Sequence, residues 1–310
     1  MQLIRGIQEL TPNAPIVLTI GNYDGVHLGH QHVIGTMVAR AREREAQSAV
    51  MTFDPHTDHV LHPERNRRLL TSIEERAAII EALGVDLLIV MPFDHELARL
   101  SAEQFMQLIR SHLQLCELWD GPDFRLGYKA QGTMDKLAEI GKRLGYSVHI
   151  VEPFLYNGQR VSSTRVRELL ESGQVSEARI LLGRPFSFEG RVVEGDRRGR
   201  SIGVPTANLE VPPEHVLPMD GVYACWATIG DLAGGSYRAV VNIGVRPTFG
   251  VPGRTVEAHL LDFSGDLYGR RVRLAFIERL RGERKFPGIE ALVQQIKADI
   301  VSAQQLLDKG

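Results

Sequence analysis

Near its start the chain concentrates reactive side chains in one segment, Gly21-Asn22-Tyr23-Asp24-Gly25-Val26-His27-Leu28-Gly29-His30. Two histidines three apart, at the opening of a helix, fall on one side of its first turn and can both donate to phosphate oxygens. The glycines let backbone approach a ligand, and a helix N-terminus offers free N–H groups to an anion. Displacing pyrophosphate from the α-phosphate of ATP builds negative charge on those oxygens, and donors fixed in advance stabilise it. A second group, Ser162-Ser163-Thr164-Arg165-Val166-Arg167, sets three hydroxyls and two cations before a helix. These could grip the remaining phosphates. Taken singly, each motif has a plainer reading: histidines that cap or pack, and a Ser-Ser-Thr run that is only a helix N-cap.

The elements that must hold these residues can be read from periodicity. Ile16 to Ile20, Ala49 to Phe53, Leu87 to Val90 and Ser147 to Val151 read as strands. Between them, residues 30–46, 73–83, 102–113 and 134–144 read as helices, the second closed by Gly84. Alternating strands and helices predict a parallel sheet covered by helices on both faces. Beyond residue 184 the texture changes to short strands, at 222–228, 238–243, 256–261 and 272–277. In Arg271 to Phe276 one face is apolar and the other carries arginines, which predicts an antiparallel barrel or sandwich. Apolar residues at 289, 292, 293, 296 and 300 have helical spacing, so a final helix should pack on those strands. The expected division is 1–183 and 184–310.

Bulk properties agree. A chain of 310 residues is too long for one ordinary core. A net charge of −2 lacks the basic excess of a nucleic-acid binder, so no nucleic-acid partner is expected. The arginine clusters at 65–68, 197–200 and 279–285 read as solvated faces. Two distant cysteines, Cys116 and Cys225, make neither a disulfide framework nor a thiolate metal site. The longest apolar run, Leu87 to Met91, is too short to span a bilayer, and the first residues lack a signal core. A cytoplasmic protein without membrane attachment is expected.

In their order and α/β setting, the first two motifs are similar to the HxGH and ISSTxxR signatures of the nucleotidyltransferase superfamily. The resemblance implies that His27 and His30 are catalytic. It also implies ATP contacts at Gly21, Asn22, Asp24, Gly29, Ser162, Ser163, Thr164, Arg165 and Arg167. Thr52-Phe53-Asp54-Pro55-His56 and Asp123-Phe124-Arg125-Leu126-Gly127 resemble the FMN adenylyltransferase branch. That implies flavin contacts at Asp54, His56, Asp123, Phe124 and Arg125. The chain departs from the branch at Thr57, where a second proline is common, and at Leu126, where an aromatic is.

The second half resembles riboflavin kinase from residue 184 to 305. The matching segments include Gly190 to Arg200, Gly203-Val204-Pro205-Thr206-Ala207-Asn208, Asn242 to Phe249, Val256-Glu257-Ala258-His259 and Arg281 to Phe286. The resemblance implies that Gly195, Arg200, Gly203, Pro205, Thr206 and Asn208 surround ATP. Thr206 and Asn208 would be hard-oxygen ligands for the Mg²⁺ that accompanies ATP. Glu257 would be the base that a ribityl hydroxyl needs as nucleophile. No Walker A motif is present. In this domain order the whole chain resembles bacterial bifunctional FAD synthetases, which implies riboflavin, FMN, ATP and FAD as substrates and products. Two other readings stand beside it. One is a nucleotidyltransferase of another substrate class with a passive flavin-binding barrel. The other is an RNA-directed protein, since His-Leu-Gly-His also resembles a class I aminoacyl-tRNA synthetase signature.

Overall fold

The computed structural model describes residues 1–8, 10, 14–195, 203–230, 235–245 and 254–308. Contacts divide the chain into two compact units, Met1–Ser163 and Thr164–Gly310. The first unit begins with β1 (Gln2–Arg5), β2 (Ile16–Ile20), α1 (Leu28–Glu43), β3 (Gln47–Asp54), α2 (Thr57–Leu61), α3 (Ile73–Ala82) and β4 (Leu87–Pro92). It continues with α4 (His95–Arg99), α5 (Ala102–His112), β5 (Leu115–Asp120), β6 (Arg125–Leu126), β7 (Gly132–Thr133), α6 (Met134–Leu144), β8 (Ser147–Ile150), β9 (Leu155–Tyr156) and β10 (Gln159–Arg160).

Six of these strands form one parallel sheet in the order β1-β4-β3-β2-β5-β8. Because side chains alternate along a strand, the inner strands β2, β3, β4 and β5 feed two cores. Leu18, Ala49, Met51, Ile89 and residues of α5 and α6 fill one face. Val17, Val50, Leu88 and residues of α1 and α3 fill the other. Helix starts follow local chemistry: Ser72 with Glu75, and Ser101 with Gln104, form capping boxes at α3 and α5. The order reverses between β2 and β5, since the chain moves from β2 to β3 and β4 on one side and returns to β5 on the other. The crevice beyond the carboxyl ends of those two strands is where sheets of this kind bind ligands.

Among the elements that differ from expectation, β1 was not foreseen, and three others are instructive. β5 was not expected, because Glu117 and Asp120 interrupt its apolar run. Its acid at 117 is held by Arg40 and Trp119 at 3.1 and 2.8 Å, and by Arg44. α1 ends at Glu43 rather than Ala46, and Glu45 takes a left-handed φ of 52°. Of the motif after Val161 only Ser162 precedes the helix; Ser163 to Arg167 lie inside it, since α7 starts at Ser163.

The second unit contains most of α7 (Ser163–Glu171), then α8 (Val175–Leu182), β11 (Phe186–Val193), β12 (Ala207–Glu210), β13 (Gly221–Ile229) and β14 (Ser236–Val245). β15 (Arg254–Leu260), β16 (Arg271–Arg281) and α9 (Ile289–Leu307) complete it. Strands β11 and β12 join the four expected ones, and the sheet closes on itself as β11-β12-β15-β14-β13-β16. A barrel is therefore formed and not a sandwich. Phe188, Tyr223 and Phe276 are fully buried within it, with ring centroids 5.4–5.5 Å from Phe276. α9 lays Ala303 and Leu307 against Val222, Ala224 and Val240. α8 packs on β11 and β16 through Val175, Ala178, Leu181 and Leu182, all buried. No described helix is long and apolar enough to cross a membrane.

Candidate functional site

In the first unit the loop after β2 delivers both histidines to the head of α1. His27 is its N-cap, and its Nδ1 accepts from the backbone N–H of His30 at 3.2 Å. An accepting Nδ1 puts the neutral ring's proton on Nε2, which leaves that nitrogen as a donor. The two rings stack with centroids 3.6 Å apart at 18°. Capping through Nδ1 is therefore compatible with a donor role at Nε2. Gly29 lies in close quarters: a Cβ there would lie 3.1 Å from the His27 ring and 3.2 Å from the Val161 carbonyl oxygen.

Asp24 turns inward. Its carboxylate accepts from the backbone N–H groups of Leu70 at 2.9 Å and Thr71 at 3.0 Å, and the Arg76 guanidinium lies 3.9 Å away. The Asp24 carbonyl accepts from Ser163 Oγ at 2.8 Å, which ties the second motif to the histidine loop. The division between the units falls inside that second motif. Ser162 and Ser163 belong to the first unit, whereas Thr164, Arg165 and Arg167 belong to the second.

Beside Gly21 and Asn22 opens a cavity of about 790 Å³. Asp123, Phe124 and Arg125 line it, as do Thr57 and Leu126, the two positions of departure from the branch pattern. Asn22 holds Thr57 from both ends: its Nδ2 donates to the hydroxyl at 2.9 Å, and its Oδ1 accepts from the backbone N–H at 3.3 Å. Asp54 and His56 do not line this cavity. Asp54 is half exposed and pairs with Arg5 at 3.4 Å, and His56 caps α2 by accepting from Asp58 N–H at 3.1 Å. The walls also include Phe93, Arg99, Tyr128 and Lys129, which sequence reasoning missed. Phe93 follows the carboxyl end of β4, and that position is the signal that could have found it.

The barrel has two adjoining clefts. One, of about 420 Å³, is lined by Gly195, Pro205, Thr206, Asn208 and Tyr268. Gly195 sits so close to Asn208 that a Cβ would lie 2.2 Å from its Nδ2. The other, of about 330 Å³, is lined by Asn242, Glu257, His259, Arg281 and Phe286. Thr206 lines both. On β15, Glu257 alternates with buried Val256 and Ala258, so its side chain leaves the barrel core. In register it sits between Asn208 on β12 and Asn242 on β14. Gly203 has a left-handed φ of 76°. Arg200, and the segment 246–249 of the kinase resemblance, lie outside the described residues.

Residues 10–165 match the family model for FAD synthetase, and residues 182–307 match the one for riboflavin kinase. A bifunctional riboflavin kinase/FMN adenylyltransferase of Pseudomonas fluorescens is 39% identical over 309 residues, covering 99% of this chain and 98% of the relative. A relative of the same description from Bacillus subtilis is 38% identical over 291 residues, covering 92% of this chain and 90% of its own. A crystal structure described as a macrolide-efflux protein from Streptococcus pneumoniae superposes with a TM-score of 0.89 at 30% identity, covering 97% of this chain and 98% of that one. Sheet and barrel thus recur together in a solved relative. Both matches keep the order read from the motifs, and the relatives span nearly the whole length, so the chain belongs to the family of bifunctional riboflavin kinase/FMN adenylyltransferases.

Proposed function

We propose that the chain makes FAD in two ATP-dependent steps. The barrel phosphorylates riboflavin to FMN, and the α/β unit then transfers AMP from ATP to FMN, releasing pyrophosphate. The observation that carries the site assignment is the placement of the His27–His30 pair and the large cavity around one loop, residues 21–30, at the switch point of the sheet. The cavity would take the flavin end of FMN against Phe124, while the histidines would face the phosphate undergoing substitution. Asp24 orders the loop from beneath. In the barrel, Thr206 stands between the two clefts, so a phosphoryl group would pass across it from nucleotide to acceptor. Glu257, in the second cleft, would take the proton of the ribityl hydroxyl.

The barrel's nucleotide cleft suits Mg²⁺ bound mostly by ATP. Among the described residues no cluster of three or more His, Cys, Asp or Glu could hold a metal. The hydroxyl of Thr206 and amide oxygen of Asn208 are neutral hard donors in one cleft. Mg²⁺ keeps phosphates and waters as its other ligands. The ion would draw charge from the transferring group, and the two side chains would orient it.

We place the functional boundary between 164 and 183. The helix α7 begins with the adenylyl motif, and α8 packs on the barrel. The cytosol is the compartment we assign, with small-molecule substrates and no nucleic-acid or membrane partner. Incubation with riboflavin, ATP and Mg²⁺, followed by separation of riboflavin, FMN and FAD, tests the whole reading. FMN should appear first and FAD after it. FAD formed without prior FMN, or no flavin product, would overturn it.

A further inference from the structure

We propose that Asp120, acting through Thr19 and Tyr23, is a positioning residue for adenylyl transfer: it sets how firmly His30 and Gly21 are held, and makes that hold respond to pH. The inference rests on the reading of the first unit as the adenylyl-transfer unit. Asp120 ends β5 beside the end of β2, at the switch point. Its Oδ2 accepts from Thr19 Oγ1 and from the Ile20 N–H, both at 3.4 Å, and its Oδ1 accepts from the Gly121 N–H at 2.8 Å. Thr19 Oγ1 is in turn 2.5 Å from the Tyr23 hydroxyl. Thr19 and Tyr23 are both buried.

The Tyr23 ring is a wedge. It meets His30 edge-on, with centroids 5.1 Å apart at 78°. On another side it underlies Gly21 of the cavity wall, where a Cβ would lie 3.1 Å from its Cζ. Whatever fixes the Tyr23 hydroxyl therefore fixes both a histidine of the site and a wall of the cavity.

A threonine hydroxyl has one proton to give. An ionised Asp120 only accepts, so Thr19 must donate to it and Tyr23 must donate to Thr19. The chain then has a single order. A protonated Asp120 can itself donate to Thr19, and that order is lost. Burial pushes the Asp120 carboxyl up to about 7, against the opposing pull of the Gly121 and Ile20 N–H groups, Thr19 and the charge of Arg160. Burial first, and the Asp120 charge second, hold the Tyr23 phenol well above its usual range, so it stays a donor. Arg160 of β10 also pairs with Asp123. In the α1 loop His30 meets Tyr23 edge-on and His27 stacks on His30. His149 of β8 stacks on Trp119 and reaches towards Glu117.

The test measures FAD formation from supplied FMN and ATP by the full chain, between about pH 5.5 and 9. The wild type should rise through an inflection near pH 7. Asp120→Asn cannot ionise, so its profile should lack that inflection. Tyr23→Phe breaks the chain at its middle. It should lower the alkaline rate by roughly 3- to 10-fold, the worth of one hydrogen bond, and also lack the inflection. FMN formation by both variants should match the wild type. Persistence of the inflection in Asp120→Asn, a wild-type profile in Tyr23→Phe, or loss of both activities together overturns the proposal. His30→Ala separates this from the parent reading. If that variant still makes FAD normally, the assignment of the unit falls. If it does not, and the Asp120 and Tyr23 variants titrate like wild type, only the present proposal falls.

Discussion

In adenylyl transfer the attacking FMN phosphate is already ionised at neutral pH, so the site needs donors and no base. His30→Ala should therefore lower FAD formation by about 10²–10³, the usual effect of losing one preorganised donor, while FMN formation stays near wild type. A separate assay of each half-reaction checks this. The kinase step differs, because an alcohol must lose its proton as it attacks. Glu257→Gln keeps size and cannot accept that proton, so FMN formation should fall by about 10²–10⁴. Riboflavin affinity should change less than turnover, and FAD formation from supplied FMN should persist. At this scale the sequence was most legible where a residue type is scarce and its spacing strict. His27 and His30 come together at one loop, and Asp123 and Phe124 line the cavity beside it. Asp24 shows the limit: an acid in a glycine-rich loop looks like a ligand, and only the fold reveals the N–H groups of Leu70 and Thr71 waiting for it. Tyr128 and Lys129 carry no spacing signal, since they reach the cavity through the turns after β6.

Among the elements, β5 depends on its buried acid. Burial alone would raise the Glu117 carboxyl, but hydrogen bonds from Arg40, Trp119 and Arg44, with His149 nearby, hold it down at about 2 against an ordinary 4.5. A carboxyl depressed by folding stabilises the fold above its unfolded pKa and loses that contribution as pH falls through the folded one. Unit one should thus weaken between about pH 4.5 and 2. Glu117→Gln should remove that slope and cost about 2–3 kcal/mol at neutral pH, allowing for screening at the half-exposed arginines. Acid titration followed by circular dichroism on both proteins checks it. The same residue explains why β5 escaped the sequence reading. Periodicity registers apolar side chains, and a strand that buries an acid against arginines from α1 breaks the pattern it relies on. The helices α5 and α6 were legible to within a residue, because their apolar stripes and capping residues agree.

For the molecule as a whole, two compact units and two family matches are the ground for expecting separable activities. A fragment of residues 164–310 should phosphorylate riboflavin and form no FAD. A fragment of 184–310 lacks α8, and with it the buried Val175, Leu181 and Leu182. At about 1.5–3 kcal/mol per buried side chain, it should melt at a clearly lower temperature than the longer one. Equal melting temperatures would show that α8 adds nothing to the barrel. The two-unit organisation was legible from the change of texture near 184, but the place where packing divides was not. A helix's allegiance is set by the surface it covers, and nothing in α8's own sequence names that surface. Barrel closure has a consequence for how the chain comes into being. β16 supplies the second partner of both β11 and β13. During synthesis those two strands therefore expose unpaired edges until residue 281 has left the ribosome, whereas the parallel sheet has its last strand by residue 150. Open edges invite pairing with other chains. The barrel therefore carries two extra open edges through the last stretch of synthesis, edges that disappear only when β16 closes it.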